Sequence, residues 1–273
     1  MPCPVPRSEW DEKPRRVRSL TESFLDLLDS LERKATFFVV GWIAQKEPGL
    51  VREICARGHE IGCHSMWHES VIEIGAKRFQ EDVSMAKAVL EDVVGEAVDC
   101  YRAPSFTITP DSRWAFHILV EEGFHSDASI SRGLRVLGGG FEGLPCDRPF
   151  TLDVAGAPLR CFPMSSWRFF GKELTITGGG YLRVAPASLL RYIVRQQDYV
   201  MTYIHPSDFD RMRPSLDTDS AFDRLRRTVQ IGDLWQKVRM MHLLGPSRSI
   251  GEYAAELDWN ILPTIMLEPK HEL

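Results

Sequence analysis

Apolar positions along the chain switch between helical spacing and short continuous runs. Val17, Leu20, Phe24, Leu27, Leu28 and Leu31 recur three and four residues apart, which predicts an amphipathic helix over about 16–33. The run ATFFVV (35–40) is short, apolar and rich in β-formers, as a buried strand requires. Pro48 then suits a first helical turn, Leu50, Val51, Ile54 and Cys55 continue that helix, and Gly58 stops it. HEIGCH (59–64) reads as a strand. Phe79, Val83, Ala86, Leu90 and Val93 mark a helix closed by Gly95, VDCYR (98–102) a strand, 109–123 a helix and FHSD (124–127) a strand.

Beyond about 130 the pattern loosens. LGGGFEGLP (137–145) and TGGGYLR (177–183) are glycine-rich and turn-like, and the segments around Ala157 resemble a hairpin. Ala187–Gln196 reads as a helix, YVMTYIH (199–205) as a last strand, and 217–257 as helical again. The alternation of strand and helix with short links predicts an α/β fold, a parallel sheet or barrel with helices outside. The 273 residues contain no repeat and no linker, so 1–273 is expected to form one domain with a core of about 17–210 and a helical extension over 211–273.

Composition narrows the function classes. Hydrophobic residues make up 44% and charged residues 26%, ordinary for a globular chain and unlike a disordered or fibrous one. With 33 Lys+Arg against 38 Asp+Glu the net charge is −5, a poor basis for nucleic-acid binding, which needs a cationic face. No stretch approaches the ~18 apolar residues that span a bilayer, and the first residues show no secretory leader. Six cysteines contain no CxxC pair and read as reduced residues of a cytoplasmic protein.

In sheets of this kind chemistry collects at the carboxyl ends of strands. HEIGCH runs directly into His64-Ser65-Met66-Trp67-His68, and two histidines at i and i+4 on one helical turn can share a metal ion. For this pattern alone, two hydrogen-bonded loop histidines are the better account, and the position just past a buried strand brings the two readings closer to even. VDCYR runs into Arg102-Ala103-Pro104-Ser105-Phe106, where an arginine before a stiffened turn can grip a carboxylate or form a surface ion pair. FHSD delivers Asp127, with Ser129 close by, and the last strand delivers His205, a residue type suited to general-acid chemistry near neutral pH.

In this order the motifs resemble a known family. ATFFVVGW (35–42), GHEIGCHSMWH (58–68), YRAPSFTIT (101–109), GGGYLR (178–183) and YIHP (203–206) are similar to the polysaccharide deacetylases of NodB homology, carbohydrate esterase family four, in the branch associated with exopolysaccharide and exosortase clusters. The resemblance implies a distorted (β/α) barrel and the removal of N-acetyl groups from carbohydrate with a divalent metal, zinc first and cobalt or another divalent ion as the alternative. It implies metal ligation by His64 and His68, orientation of a catalytic base by Arg102, and an oxyanion-holding N–H at Ser105. It further implies a general acid at His205 tuned by Asp127. Trp67, Phe106 and Tyr181 are expected to line the sugar groove. The bland alternatives are an inactive carbohydrate-binding protein of the same fold and an amidase of small non-sugar substrates.

One family motif has no counterpart in this sequence. The Asp-x-Glu-Asp segment that supplies the base and the third metal ligand belongs upstream of the first helix, where only Glu9, Asp11 and Glu12 occur without a preceding apolar strand. An internal start, with about 20–30 residues lying upstream, is favoured over a true pseudoenzyme. Absence of the first strand would leave an open sheet edge, and hence a tendency to associate into oligomers.

Overall fold

The computed structural model describes residues 7–12, 16–132, 141, 144–145, 147–169, 172–175, 177–210 and 231–267. The predicted alternation is present in order: α1 (Val17–Ser30), β1 (Thr36–Val39), α2 (Gly41–Lys46), α3 (Pro48–Ala56), β2 (Glu60–Cys63), α4 (Val71–Val94), β3 (Cys100–Tyr101), α5 (Trp114–Glu121) and β4 (Ser126–Asp127). A hairpin, β5 (Phe150–Val154) and β6 (Ala157–Cys161), follows, and then a small separate hairpin, β7 (Trp167–Phe169) and β8 (Lys172–Leu174). The remaining elements are α6 (Gly179–Val184), α7 (Ala187–Arg195), α8 (Ile231–Leu243), α9 (Ile250–Glu256) and β9 (Thr264–Leu267).

Seven of these strands form one sheet in the order β1-β2-β3-β4-β6-β5-β9. From β1 to β6 every neighbour is parallel; β5 turns antiparallel against β6, and β9 runs parallel to β5. Among the described residues β1 is the terminal strand, so the sheet edge next to the functional rim carries no further strand. The parallel register aligns the strand ends: Val39 lies opposite Cys63, Cys63 opposite Tyr101, and Tyr101 opposite Asp127. The residues that follow these strands therefore emerge on one rim.

One face of the sheet is covered by α2 to α5. Phe79, Val83, Ala86 and Leu90 of α4 are buried there with Tyr101, Phe116 and Phe124, each fully buried aromatic contributing about 1.5–3 kcal/mol. Gly95 ends α4 in the left-handed conformation, φ 78°, with its N–H on Glu91 O, as the pattern predicts. A second cluster places Ile250 and Ala254 of α9 against Cys100, Ala128 and Phe162. α9 is docked by hydrogen bonds as well: Ile250 N–H donates to Thr36 Oγ1 at 2.7 Å and Gly251 N–H to Glu60 Oε2 at 3.0 Å. A third cluster joins Leu20, Phe24 and Leu27 of α1 to Leu182, Leu190, Phe209, Leu234 and Val238 of the later helices.

Several expectations need correction. The 199–205 segment is not a regular strand; only Tyr203 bridges, in parallel, to Gly178. TGGGYLR is not merely a turn, because Gly179 begins α6. The segment from 231 onward is not just a helical appendage: α9 packs into the core and β9 extends the main sheet. Burial of apolar surface against the sheet outweighed the local signals there. LGGGFEGLP falls mostly outside the described residues, as do 217–230 of the expected late helix. Cys55, Cys63, Cys100 and Cys161 are free thiols, and no helix among the described residues is long and apolar enough to cross a membrane.

Candidate active site

The β2 exit shapes the histidine pair. His64 to His68 do not form the expected helical turn, because Ser65 and His68 both take left-handed backbone conformations, φ 69° and 57°. This tight loop brings the two imidazoles to 5.0 Å between centroids, nearly perpendicular. Such φ values are uncommon for residues with side chains and cost energy that the surroundings must supply. Asp82 of α4 supplies much of it. Its buried carboxylate accepts Met66 N–H on both oxygens (3.0 and 3.1 Å), Trp67 N–H at 3.2 Å and the Ser65 hydroxyl, while Ser65 Oγ accepts Trp67 and His68 N–H. Sequence reasoning missed Asp82, since nothing on the α4 apolar stripe marks one acid as buried.

His64 Nδ1 lies 2.6 Å from Arg102 O. A carbonyl can only accept, so Nδ1 carries the hydrogen and the Nε2 lone pair is left to face a ligand. Burial holds the His64 imidazole well below its ordinary range, with smaller effects from His68, His205 and Arg102. Burial likewise pushes His68 down to about 4, with His205 next. Both rings are therefore neutral near pH 7, the form that binds metal.

The β3 exit carries Arg102, buried at 8% exposure. Its Nε donates to Ala128 O at 3.1 Å and a terminal nitrogen to Met201 Sδ at 3.4 Å, and the guanidinium lies 4.3 Å from the Phe38 ring centre and 5.8 Å from that of Phe106. No carboxylate among the described residues pairs with it within 4.0 Å. Ser105 and Phe106 are again left-handed, φ 53° and 56°. Asp127 is fully buried and takes two bonds from Ser129, to the hydroxyl at 2.6 Å and the N–H at 2.9 Å; Ser129 Oγ in turn accepts Ala103 N–H at 2.8 Å. Burial raises the Asp127 carboxyl to about 6.

Asp127 therefore braces the Arg102–Ser105 loop, and the expected contact with His205 is not made. Asp208 is the carboxylate at His205: Oδ2 accepts the His205 N–H at 2.9 Å and lies 3.3 Å from Nδ1. The physical reason is local. A turn over Pro206–Asp208 folds the chain back by one 3-10 step, so a residue three positions on meets the histidine. The sequence signal was present as His-Pro-Ser-Asp, a proline turn closed by an acid. Tyr203 stands between the two halves of the rim, 5.2 Å from the Phe106 ring and 5.6 Å from the His205 ring, and it lies so close to Gly178 that no Cβ fits there.

The rim is thus continuous: His68, His64, Phe38, Arg102, Phe106, Tyr203 and His205 follow one another ring by ring. Phe106 belongs to it. Trp67 is half-buried and packs against Trp10 at 6.4 Å, under Arg7 at 5.0 Å. Tyr181 sits in the first turn of α6, and none of these rim contacts involves it. The two neutral imidazoles suit two positions of a catalytic metal, which ordinarily has three protein ligands. Among the described residues no group of three or more His, Cys, Asp or Glu side chains converges to complete it. Among the described residues the donor set fits a divalent ion as a pair of imidazoles without a carboxylate beside them.

An α/β sheet whose mostly parallel strands place two histidines, an arginine and a distant third histidine on one rim is the arrangement with which the comparisons must agree. Residues 8–118 match the polysaccharide deacetylase family, and residues 135–247 match a domain of unknown function, DUF3473. A peptidoglycan-N-acetylglucosamine deacetylase of Bacillus cereus is 34% identical over 84 residues, 31% of this chain and 39% of that protein. A chitooligosaccharide deacetylase of Sinorhizobium fredii is 34% identical over 96 residues, 35% of this chain and 44% of that one. The matches thus span less than half the length of these relatives. The fold is shared with a crystal structure from Mycobacterium smegmatis assigned to the polysaccharide deacetylases (TM-score 0.61, 20% identity, 92% of this chain and 81% of that chain). It is shared also with a family-four carbohydrate esterase pseudoenzyme from Bacillus anthracis (TM-score 0.51, 11% identity, 92% and 64%).

Proposed function

We propose that this chain is a carbohydrate de-N-acetylase that hydrolyses the amide of N-acetylated sugars in a polysaccharide or its precursor. The observation that carries the reading is the convergence on one rim of His64 and His68 from the β2 loop, Arg102 from the β3 exit and His205 from the 203–208 segment. Amide hydrolysis needs a polarised carbonyl, an activated water and a proton for the departing amine. A divalent ion on His64 and His68, zinc by donor type, supplies Lewis acidity and an acidified water when bound. In this reading Ser105 holds the developing oxyanion through its backbone, Phe106 and Trp67 offer apolar faces to the sugar, and His205 gives its proton to the amine. Tyr181 is given no role.

The experiment is acetate release from N-acetylglucosamine oligomers, with each divalent metal in turn and with His64→Ala as control. Release that His64→Ala abolishes supports the reading; no release with any metal overturns it. A second reading, a carbohydrate-binding protein of this fold without catalysis, draws on one observation: among the described residues the buried Arg102 guanidinium is held by Ala128 O and Met201 Sδ and pairs with no carboxylate. Oligosaccharide binding without acetate release would select it.

A further inference from the structure

Helix α7 has two unlike faces. Leu190 and Ile193 are buried, and Leu190 packs with Leu182 of α6 and with Leu234 and Val238 of α8. On the other side Ser188, Arg191, Tyr192, Arg195 and Gln196 share a face at helical spacing and are all exposed, Tyr192 at 56%. These five line an open cleft of about 490 Å³. α7 itself carries no acid, and among the described residues no carboxylate pairs with Arg191 or Arg195. Asp198, the next acid along the chain, acts on Arg148 and Tyr253 instead. Arg18, Arg57, Arg78 and Arg148, by contrast, are each met by a carboxylate. The face is also placed next to the rim. Gly178 bridges to Tyr203, α6 starts one residue later, and two residues separate α6 from α7. Six helical residues and a short link put the start of α7 within roughly 20 Å of that bridge. Beyond the far end of α7, Gln197 Nε2 donates to Ser166 O at 3.0 Å, beside Trp167 at the start of β7.

We propose that the Arg191–Tyr192–Arg195 face of α7 binds an acidic polysaccharide, one whose sugars carry carboxylates, at a site outside the rim. The inference takes carbohydrate as the ligand from the deacetylase reading and deepens it by making the polymer anionic. Arg191 and Arg195 stand about 6 Å apart along the helix axis. Each guanidinium offers a pair of parallel N–H donors that match a carboxylate. Tyr192, in the same stripe, offers a ring face to the C–H side of a sugar and a hydroxyl to its oxygens, and Ser188 and Gln196 suit sugar hydroxyls. Two like charges one turn apart weaken a helix, so the arginine pair does nothing for α7 itself. A lipid surface is a poorer fit, because stable anchoring takes a wide apolar face or a larger cluster of cations. A net charge of −5 disfavours nucleic acid.

The test is calorimetry of the full metal-free chain with oligomers of alginate, a uronic-acid polymer, and with N-acetylglucosamine oligomers of matched length. Alginate is expected to bind more tightly than the neutral oligomer, and to weaken as salt is added. Arg191→Gln combined with Arg195→Gln is expected to lower alginate affinity by about tenfold or more, and Tyr192→Ala to lower it as well. Arg191→Lys with Arg195→Lys restores charge without the paired donors and is expected to recover part of the loss. These positions are exposed, so the variants should keep the native urea midpoint. Alginate that binds no more tightly than the neutral oligomer overturns the proposal without any variant. So does a loss of less than about twofold in the folded double glutamine variant, or anionic phospholipid vesicles or duplex DNA binding this face as tightly as alginate does. The readout needs no catalysis. Alginate binding without acetate release counts against the deacetylase reading alone, and acetate release without alginate binding counts against this site alone.

Discussion

Replacing Asp82 by Asn tests how the metal-facing loop is held. The substitution keeps shape and volume but exchanges one oxygen for an NH2 group, so donors face donors. In the native arrangement the carboxylate takes Met66 N–H on both oxygens, Trp67 N–H and the Ser65 hydroxyl, all in a buried setting. An amide retains one acceptor and at best satisfies Met66. The lost Trp67 bond to a charged acceptor is worth about 1.5–3 kcal/mol, although Trp67 N–H keeps Ser65 Oγ at 3.2 Å as a second acceptor, and the Ser65 hydroxyl loses its bond to the same charge. Taking both losses at the low end, Asp82→Asn should destabilise by about 3 kcal/mol. Urea unfolding of the full chain reads this as a lower midpoint with unchanged slope. Because the loop sets two left-handed residues and the 5.0 Å approach of His64 and His68, zinc affinity measured by calorimetry should fall at least tenfold though Asp82 touches no metal. A stability within about 0.5 kcal/mol of the native chain, the range of neutral surface changes, would refute the reasoning, as would unchanged zinc affinity in a variant that is destabilised.

Acidification should weaken the metal-free fold. His68 and His242 sit at about 4, by burial, against an unfolded value near 6.5, so below 6.5 the unfolded chain binds more protons and stability falls with pH. From pH 7 to 5 each removes about 2 kcal/mol, and Asp127, raised to about 6, returns about 1 kcal/mol because its folded form gains a proton there; urea midpoints at the two pH values should show a net loss of at least about 2 kcal/mol, and equal or higher stability at pH 5 contradicts this. Gly178→Ala should cost about 1–3 kcal/mol by overpacking, since its extended backbone tolerates alanine but the Tyr203 ring occupies the space; a chain that melts as before would show that Tyr203 yields freely. His68→Ala should remove divalent-ion binding while moving the urea midpoint little, because the ring is only half-buried and alanine keeps the same φ of 57°; calorimetry with zinc checks the first and unfolding the second.

The sequence by itself determined the layered α/β fold and most of the rim. Strand and helix periodicities are local properties, and Phe79, Val83, Ala86 and Leu90 announce a buried helix face wherever the chain goes. Parallel order then carries His64, Arg102 and Asp127 to one end of the sheet, because the register aligns the strand ends. Tertiary structure alone decided which charged group meets which imidazole. Asp127 and Asp208 are both acids beside a candidate motif, yet only one faces His205, and Asp82 looks like any helix acid until α4 lies against the β2 loop. α6 and the docking of α9 were likewise invisible, since their residues gain stability from apolar surface that exists only after the sheet has formed. Hydrophobic pattern repeats along the chain and can be read there, whereas the pairing of buried charges depends on distances of 3 Å between segments far apart in sequence, which folding alone sets.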